Sequence, residues 1–249
     1  MMLDRRSMLG KSLVAGGLVA GVESLGRAQG MMAPASANPI KAGETLPDAP
    51  EVMRLWPNGP SGRLRPISET IVERSKDPAL KDRAINGIAD PRIVVFRPKK
   101  PNGASVLITP GGGYIRVVID REGYEMARWL AARGFTCFVL FYRLPGEGWA
   151  SGPDTALADA QRAMRLIRQR AASDGLDPVR VTALGFSAGG HLCADLAARA
   201  DHAAYQPLDA ADTLSARPHS AAPIYPVVSM SLPDAHKGSR EQLLGPVPT

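Results

Sequence analysis

The chemistry of this chain is narrowed first by what it has little of. It carries 2 cysteines in 249 residues, too few for a disulfide framework. Cys137 in an apolar run and Cys193 in an alanine-rich one read as small buried hydrophobes. Histidine is equally scarce, with 4 in all. His191, His202, His219 and His236 are never spaced with cysteine or aspartate as a metal shell requires, and neither CxxC nor HExxH occurs, so neither a metal nor another cofactor is expected. The net charge of +6 arises from 30 basic and 24 acidic side chains. No Lys/Arg run exceeds a pair such as Lys99-Lys100, which leaves nucleic-acid binding without a patch to rest on. Nor does any apolar stretch reach the ~20 residues of a membrane-spanning helix. No stable membrane anchor is therefore expected, and the composition does not specify an oligomeric state.

The longest apolar stretch near the start, Ser12–Val22, follows Arg5-Arg6 and leads to Gly26-Arg27-Ala28 with small residues three apart. That arrangement resembles a twin-arginine export signal, and predicts residues 1–28 as a removable signal with a periplasmic or secreted product. Residues 29–50, rich in Ala, Pro, Ser and Asn, read as a flexible lead-in. Residues 51–249 then form the folded part, 45% of the whole chain being hydrophobic and 22% charged, which is ordinary globular composition.

Between Glu51 and Ala89 the pattern is weak, and irregular structure with one edge strand around Ile67–Val72 is expected. Arg92–Phe96 and Ser105–Thr109 are β-branched runs that read as a hairpin or as adjacent strands. A helix from about Arg121 to Ala132, capped by Asp120 and stopped by Gly134, precedes the continuous apolar run Phe135–Phe141, the mark of a strand buried on both faces. Asp154–Ala172 carries Leu157, Ala160, Met164, Ile167 and Ala171 at helical spacing. Its Arg162, Arg165, Arg168 and Arg170 predict a solvated outer face. Val179–Leu184 is a further strand, Ala188–Ala200 a helix, and Ala221–Val228 a strand whose Pro223 and Pro226 fit only an edge. This alternation predicts an α/β fold, a mostly parallel sheet with helices on both faces.

Two glycine-containing stretches carry the chemistry. Gly185-Phe186-Ser187-Ala188-Gly189 joins a strand to a helix, the form of a nucleophile elbow in which a tight turn exposes the serine and glycines remove obstructing Cβ atoms. Pro110-Gly111-Gly112-Gly113-Tyr114 follows another strand and reads as an oxyanion loop, where bare backbone lets a substrate carbonyl approach. The backbone N–H of Ala188, next after the serine, is the remaining donor.

These stretches, with Tyr142-Arg143-Leu144-Pro145-Gly146, the continuation Gly190-His191-Leu192 and the strand Ile224-Tyr225-Pro226-Val227-Val228, resemble the acetylxylan-esterase-like branch of the α/β-hydrolases from about Ile93 to Gly245. The resemblance implies a cofactor-independent serine esterase that removes acetyl groups from xylan or xylo-oligosaccharides. It implies Ser187 as nucleophile, the N–H groups of Gly112, Gly113 and Ala188 as oxyanion donors, and Tyr114 as a substrate-binding residue. The partner expected is thus an acylated carbohydrate or another small ester. Pro110 departs from the histidine of lipase-type loops, which bears on fine oxyanion geometry. A serine peptidase or lipase of the same fold is the alternative enzyme. A carbohydrate-binding or interaction protein on a decayed hydrolase fold is the alternative outside enzymes.

In this fold the triad acid and histidine follow the serine at the ends of later strands. Residues 229–249 contain no strand-like run, so the chain reads as lacking the last strands with both residues. His191 lies one turn past Ser187 and packs beneath the elbow, and His236 follows the wrong strand for the family's base. Loss of a triad histidine costs ~10⁶ in kcat, about 8 kcal/mol. The 249-residue chain is therefore expected to lack meaningful esterase activity.

Overall fold

The computed structural model describes residues 48–246, together with the backbone pairing of Asn38–Pro39. The expected signal and nearly all of the lead-in lie outside the described residues. In chain order the strands are β1 (Asn38–Pro39), β2 (Val52–Arg54), β3 (Thr70–Glu73), β4 (Arg83–Asn86), β5 (Arg92–Phe96), β6 (Ser105–Thr109), β7 (Val117–Val118), β8 (Thr136–Phe141), β9 (Val181–Phe186) and β10 (Ser220–Ile224). The helices are α1 (Glu125–Ala131), α2 (Thr155–Asp174), α3 (Ser187–Ala198) and α4 (Lys237–Leu244).

The main sheet has the order β10-β9-β6-β8-β5-β2. Its first four strands run parallel, while β8–β5 and β5–β2 are antiparallel. Every residue of β5, β6 and β8 is buried, as the unbroken β-branched and aromatic runs require, since both faces of such strands must be covered. The chain leaves β6 toward β8 through α1, then returns past β6 to β9 through α2 and continues to β10 through α3. Crossovers of one hand taken in opposite directions put α1 on one face and α2 with α3 on the other. The α/β expectation of a mostly parallel sheet with helices on both faces is thus met.

The reversal of strand order has a chemical consequence. Ligands in open α/β sheets sit beyond the carboxyl ends of the two strands from which the chain departs in opposite directions. Here those strands are β6 and β9, paired in register with Thr109 opposite Gly185. One is followed by the triple glycine and the other by Ser187.

Several expectations are corrected. Residues 51–89 hold three strands rather than one, because β3 and β4 build a small antiparallel sheet with β1 and β7 in the order β1-β3-β4-β7. β5 and β6 are neither a hairpin nor neighbours. β8 lies between them, parallel to one and antiparallel to the other. Asp120 does not cap a helix. Its buried carboxylate accepts from the Arg83 backbone N–H at 2.7 Å and from the guanidinium at 2.7 and 2.9 Å, and a π-helical turn over Asp120–Tyr124 precedes α1.

The arginines of α2 are engaged by protein partners rather than free on a solvated face. Arg162, 1% exposed, is paired with Asp209 and Asp212. Arg165 donates to the Leu214 carbonyl and the Tyr205 hydroxyl, and Arg168 to the carbonyls of Pro178, Ser215 and Arg217. The carbonyls of Leu214, Ser215 and Arg217 belong to the long α3–β10 connection, which needs such partners because it has little secondary structure of its own. Finally, β10 ends at Ile224, before Pro226, and pairs with β9 alone among the described residues. No described helix is long and apolar enough to cross a membrane.

Candidate active site

Ser187 opens α3 with φ 52°. A non-glycine residue in this left-handed region costs about 1–3 kcal/mol and persists only where surrounding structure holds it. What holds it is the tight fit of two glycines in the same turn. A Cβ at Gly185 would lie 2.2 Å from the Gly189 carbonyl oxygen and 2.6 Å from Cys193 Cβ. A Cβ at Gly189 would lie 2.1 Å from the Thr109 carbonyl oxygen and 2.3 Å from that of Pro110. The elbow is therefore pressed against the end of β6 backbone to backbone, and the Thr109 hydroxyl fastens the contact by donating to the Gly189 carbonyl at 2.8 Å. On the other side the Ser187 carbonyl accepts from Val227 N–H at 3.1 Å.

The glycine loop meets the elbow at Gly111, where an added Cβ would stand 2.9 Å from Ser187 Cβ and 2.7 Å from the Phe186 carbonyl oxygen. The loop turns through Gly112 at φ 136° and Gly113 at φ 68°. At Gly112 this conformation cannot take a side chain, since a Cβ would fall 2.1 Å from the Arg116 carbonyl oxygen. The Gly112 carbonyl accepts from the N–H groups of Ile115 and Arg116 at 3.1 and 3.2 Å. Tyr142 donates to the Pro110 carbonyl at 2.7 Å.

The donors divide clearly. Gly111 N–H is taken by Glu122 Oε2 at 2.8 Å. Among the described residues the N–H groups of Gly112 and Gly113 meet no acceptor. Ala188 N–H lies in the first turn of α3, where N–H groups lack helical partners and the helix dipole favours a negative charge. The structure thus sets the loop that carries Gly112 and Gly113 against the turn that carries Ser187 and Ala188, the two meeting at Gly111.

Tyr114 is a correction. Rather than facing a substrate it is 1% exposed, strained at φ 59°, and its hydroxyl lies 2.8 Å from His191 Nδ1. Burial pushes the Tyr114 phenol well above its usual range and lowers the His191 pKa. The hydrogen bond between the phenol and the imidazole fastens the glycine loop to α3. His191 is accordingly a prop of the loop. His202 lies 2.9 Å from Asp154 and His236 Nδ1 2.8 Å from Ser239 at the start of α4, and His219 is exposed. Among the described residues no histidine shares a hydrogen bond with Ser187, and no cluster of His, Cys, Asp or Glu could hold a metal ion.

Two residues at the site escaped sequence reasoning. Glu122 bridges Gly111 N–H and the Tyr225 hydroxyl, the latter at 3.0 Å, and the Tyr225 pKa is pushed up to about 12 by partial desolvation of the hydroxyl on an otherwise exposed side chain and by that carboxylate. The only local signal for Glu122 was an acidic residue in a helix's first turn, which has an ordinary electrostatic explanation. A cavity of about 270 Å³ near Trp56, Arg143 and Tyr205 lies apart from the elbow and includes none of its residues.

Comparison with known proteins places these features in context. The model of the BD-FAE family matches residues 95–229, a span that includes both glycine stretches and Ser187. An acetylxylan esterase of Xylanibacter ruminicola is 32% identical over 154 residues, 62% of this chain and 29% of that protein. Endo-1,4-beta-xylanase B of Butyrivibrio fibrisolvens is 34% identical over 144 residues, 58% of this chain and 22% of that protein. Among solved structures, the acetyl ester-xyloside bifunctional hydrolase of Caldicellulosiruptor lactoaceticus superposes with a TM-score of 0.60 at 30% identity, over 80% of this chain and 65% of that one. The chain spans less than a third of the length of the two curated relatives.

Proposed function

Because the chain belongs to the BD-FAE family, with an α/β-hydrolase-type fold, we propose that Ser187 is the nucleophile of a carboxylic-ester hydrolase. Its proposed substrates are acetyl esters of xylan or xylo-oligosaccharides. The observation that carries this reading is the joint geometry at the ends of β6 and β9: a strained serine beside a glycine loop with two unengaged N–H groups. Relatives with esterase and xylanase names support the substrate class.

On this reading the Ser187 oxygen attacks the acyl carbonyl while its proton passes to a base. The oxyanion is held by the N–H groups of Gly112, Gly113 and Ala188, a type of interaction worth ~10²–10³ in kcat per donor. The bond to the sugar oxygen then breaks and the alcohol leaves with a proton. Water cleaves the Ser187 ester, releases the carboxylic acid and restores the serine. No described histidine is assigned as base. We further propose export under residues 1–28, to the periplasm or beyond.

The test supplies the base from solution. The 249-residue protein is incubated with p-nitrophenyl acetate, with and without imidazole, and its peptides are weighed. Acetylation of the peptide containing Ser187, promoted by imidazole and absent in Ser187→Ala, is the expected result. Absence of Ser187 acetylation under all conditions overturns the reading and favours a non-catalytic carbohydrate-binding role for the fold.

A further inference from the structure

We infer that Glu122 is a positioning residue whose carboxylate clasps the oxyanion loop to the segment that backs the nucleophile. The inference rests on the ester-hydrolase reading, and its structural part can be tested without it. Glu122 Oε2 accepts from Gly111 N–H at 2.8 Å and Oε1 from the Tyr225 hydroxyl at 3.0 Å. The carboxylate thus joins the loop after β6 to the segment after β10, elements far apart in the chain.

Both ends of this clasp bear on the elbow. Tyr225, strained at φ 34°, sets its ring 5.8 Å from that of Phe186. The next residue, Pro226, abuts α3, its Cβ 3.0 Å from where a Gly190 Cβ would be. Val227 N–H then reaches the Ser187 carbonyl. At the other end, Gly111 is the point where the loop abuts Ser187, and its peptide groups are fixed in turn. The Pro110 carbonyl is held by Tyr142, the Gly111 N–H by Glu122, and the Gly111 carbonyl by Val118 N–H at 3.0 Å. The Gly111 carbonyl bonded to Val118 and the Gly112 carbonyl bonded to Ile115 and Arg116 orient the peptides that carry the Gly112 and Gly113 N–H groups, and Glu122 anchors the peptide immediately before them. Three of the left-handed non-glycine residues, Tyr114, Ser187 and Tyr225, surround this one junction, and strain of that kind needs such restraints to persist.

The benefit is geometric rather than electrostatic. A negative charge behind an oxyanion loop opposes the oxyanion, so a neutral group with the same acceptor should serve. Glutamine offers that: its Oε1 can accept from Gly111 while its Nε2–H donates to the Tyr225 oxygen. Alanine removes both bonds.

The experiment uses the 249-residue protein and two readouts. One is the imidazole-promoted acetylation of Ser187 by p-nitrophenyl acetate. The other is amide hydrogen exchange at Val118, on the loop side, and Val227, on the elbow side. Glu122→Ala is expected to slow the saturated acetylation rate by about 10²-fold, the effect of losing one aligned oxyanion donor, without changing the ester concentration at half-saturation. It should also speed exchange at both amides. Glu122→Gln is expected to recover most of both effects. Tyr225→Phe, a change of one hydroxyl on an exposed side chain that leaves the fold intact, should speed exchange at Val227 and slow acetylation in the same sense.

Unchanged exchange in Tyr225→Phe and Glu122→Ala, or a glutamine variant as impaired as the alanine one, overturns the inference. If Ser187 is never acetylated in the unsubstituted protein, the hydrolase reading fails separately. The exchange pattern then decides the clasp alone, with rescue by glutamine upholding it and its absence overturning it.

Discussion

Replacing Gly189 by alanine isolates the contact that brings the Ser187 turn and the glycine loop together. Gly189 lies in the first turn of α3 with ordinary helical backbone, so conformational strain does not enter. What matters is space. The new Cβ would stand 2.1 Å from the Thr109 carbonyl oxygen, 2.3 Å from that of Pro110 and 2.6 Å from its carbonyl carbon. All three are backbone atoms of a loop fastened by the Thr109 hydroxyl and by Tyr142, so none can swing aside as a side-chain tip would. Overpacking of this kind costs about 1–3 kcal/mol, and rigid partners put Gly189→Ala at the upper end. Against it, alanine restricts the unfolded chain and favours helix by about 0.4–1 kcal/mol. The net is a loss of about 2 kcal/mol, which in a domain of this size lowers Tm by about 4–8 °C.

Gly238→Ala in α4 is the matched control. Its only near neighbour is His236 Cε1 at 3.6 Å, an ordinary contact, so the favourable term acts alone and a gain of about 0.4–1 kcal/mol is expected. Thermal and urea unfolding followed by circular dichroism measure both variants. A Gly189→Ala protein as stable as the parent, or more so, would refute the claim that β6 and α3 meet backbone to backbone.

Two further predictions concern the same junction. Ser187→Ala and Ser187→Gly both remove the hydroxyl, but only glycine removes the Cβ that is strained at φ 52°. Relief of about 1–2 kcal/mol, less the greater unfolded-state freedom of glycine, about 0.5–1 kcal/mol, leaves the glycine variant about 0.5–1 kcal/mol more stable in urea unfolding; equal or lower stability would mean that the serine is not strained. The second prediction is pH dependence through His191, whose folded pKa is lowered by burial. The folded state then binds fewer protons than the unfolded one, so this contribution is complete above the unfolded value of about 6.5 and is lost as pH falls through the lower folded value. His191→Gln should flatten that part of the stability profile in urea titrations, and an unaltered slope would show that protonation of His191 is not opposed by folding.

Local chemistry makes part of this protein legible from its residues alone. The strand–turn–helix around Ser187 and the triple glycine after β6 can be read because a few neighbouring residues set their backbone conformation: β-branched runs extend, glycine permits the tight turn, and alanine-rich sequence continues as helix. The expected helix over 154–172 and the strand feeding the elbow lie within two residues of α2 and β9 for the same reason. The order of strands is not readable in this way. Insertion of β8 between β5 and β6, and the pairing of Thr109 with Gly185, depend on which buried surfaces fit after the helices have packed. The arginines of α2 have a helical period that a solvated face would share. Only the packed fold supplies their partners, from the α3–β10 connection for Arg162, Arg165 and Arg168 and from Glu51 and Asp174 for Arg170. Tyr114 is expected to bind substrate, whereas the packed fold buries it and sets its hydroxyl 2.8 Å from His191 Nδ1. Glu122 and Tyr225, 103 residues apart, leave no local trace of their meeting. Sequence by itself therefore determined the strand–turn–helix at Ser187 and the glycine loop after β6 one at a time. The tertiary structure alone decided that the two loops leave neighbouring strands at the same level, because adjacency across long chain separations is a property of the packed sheet.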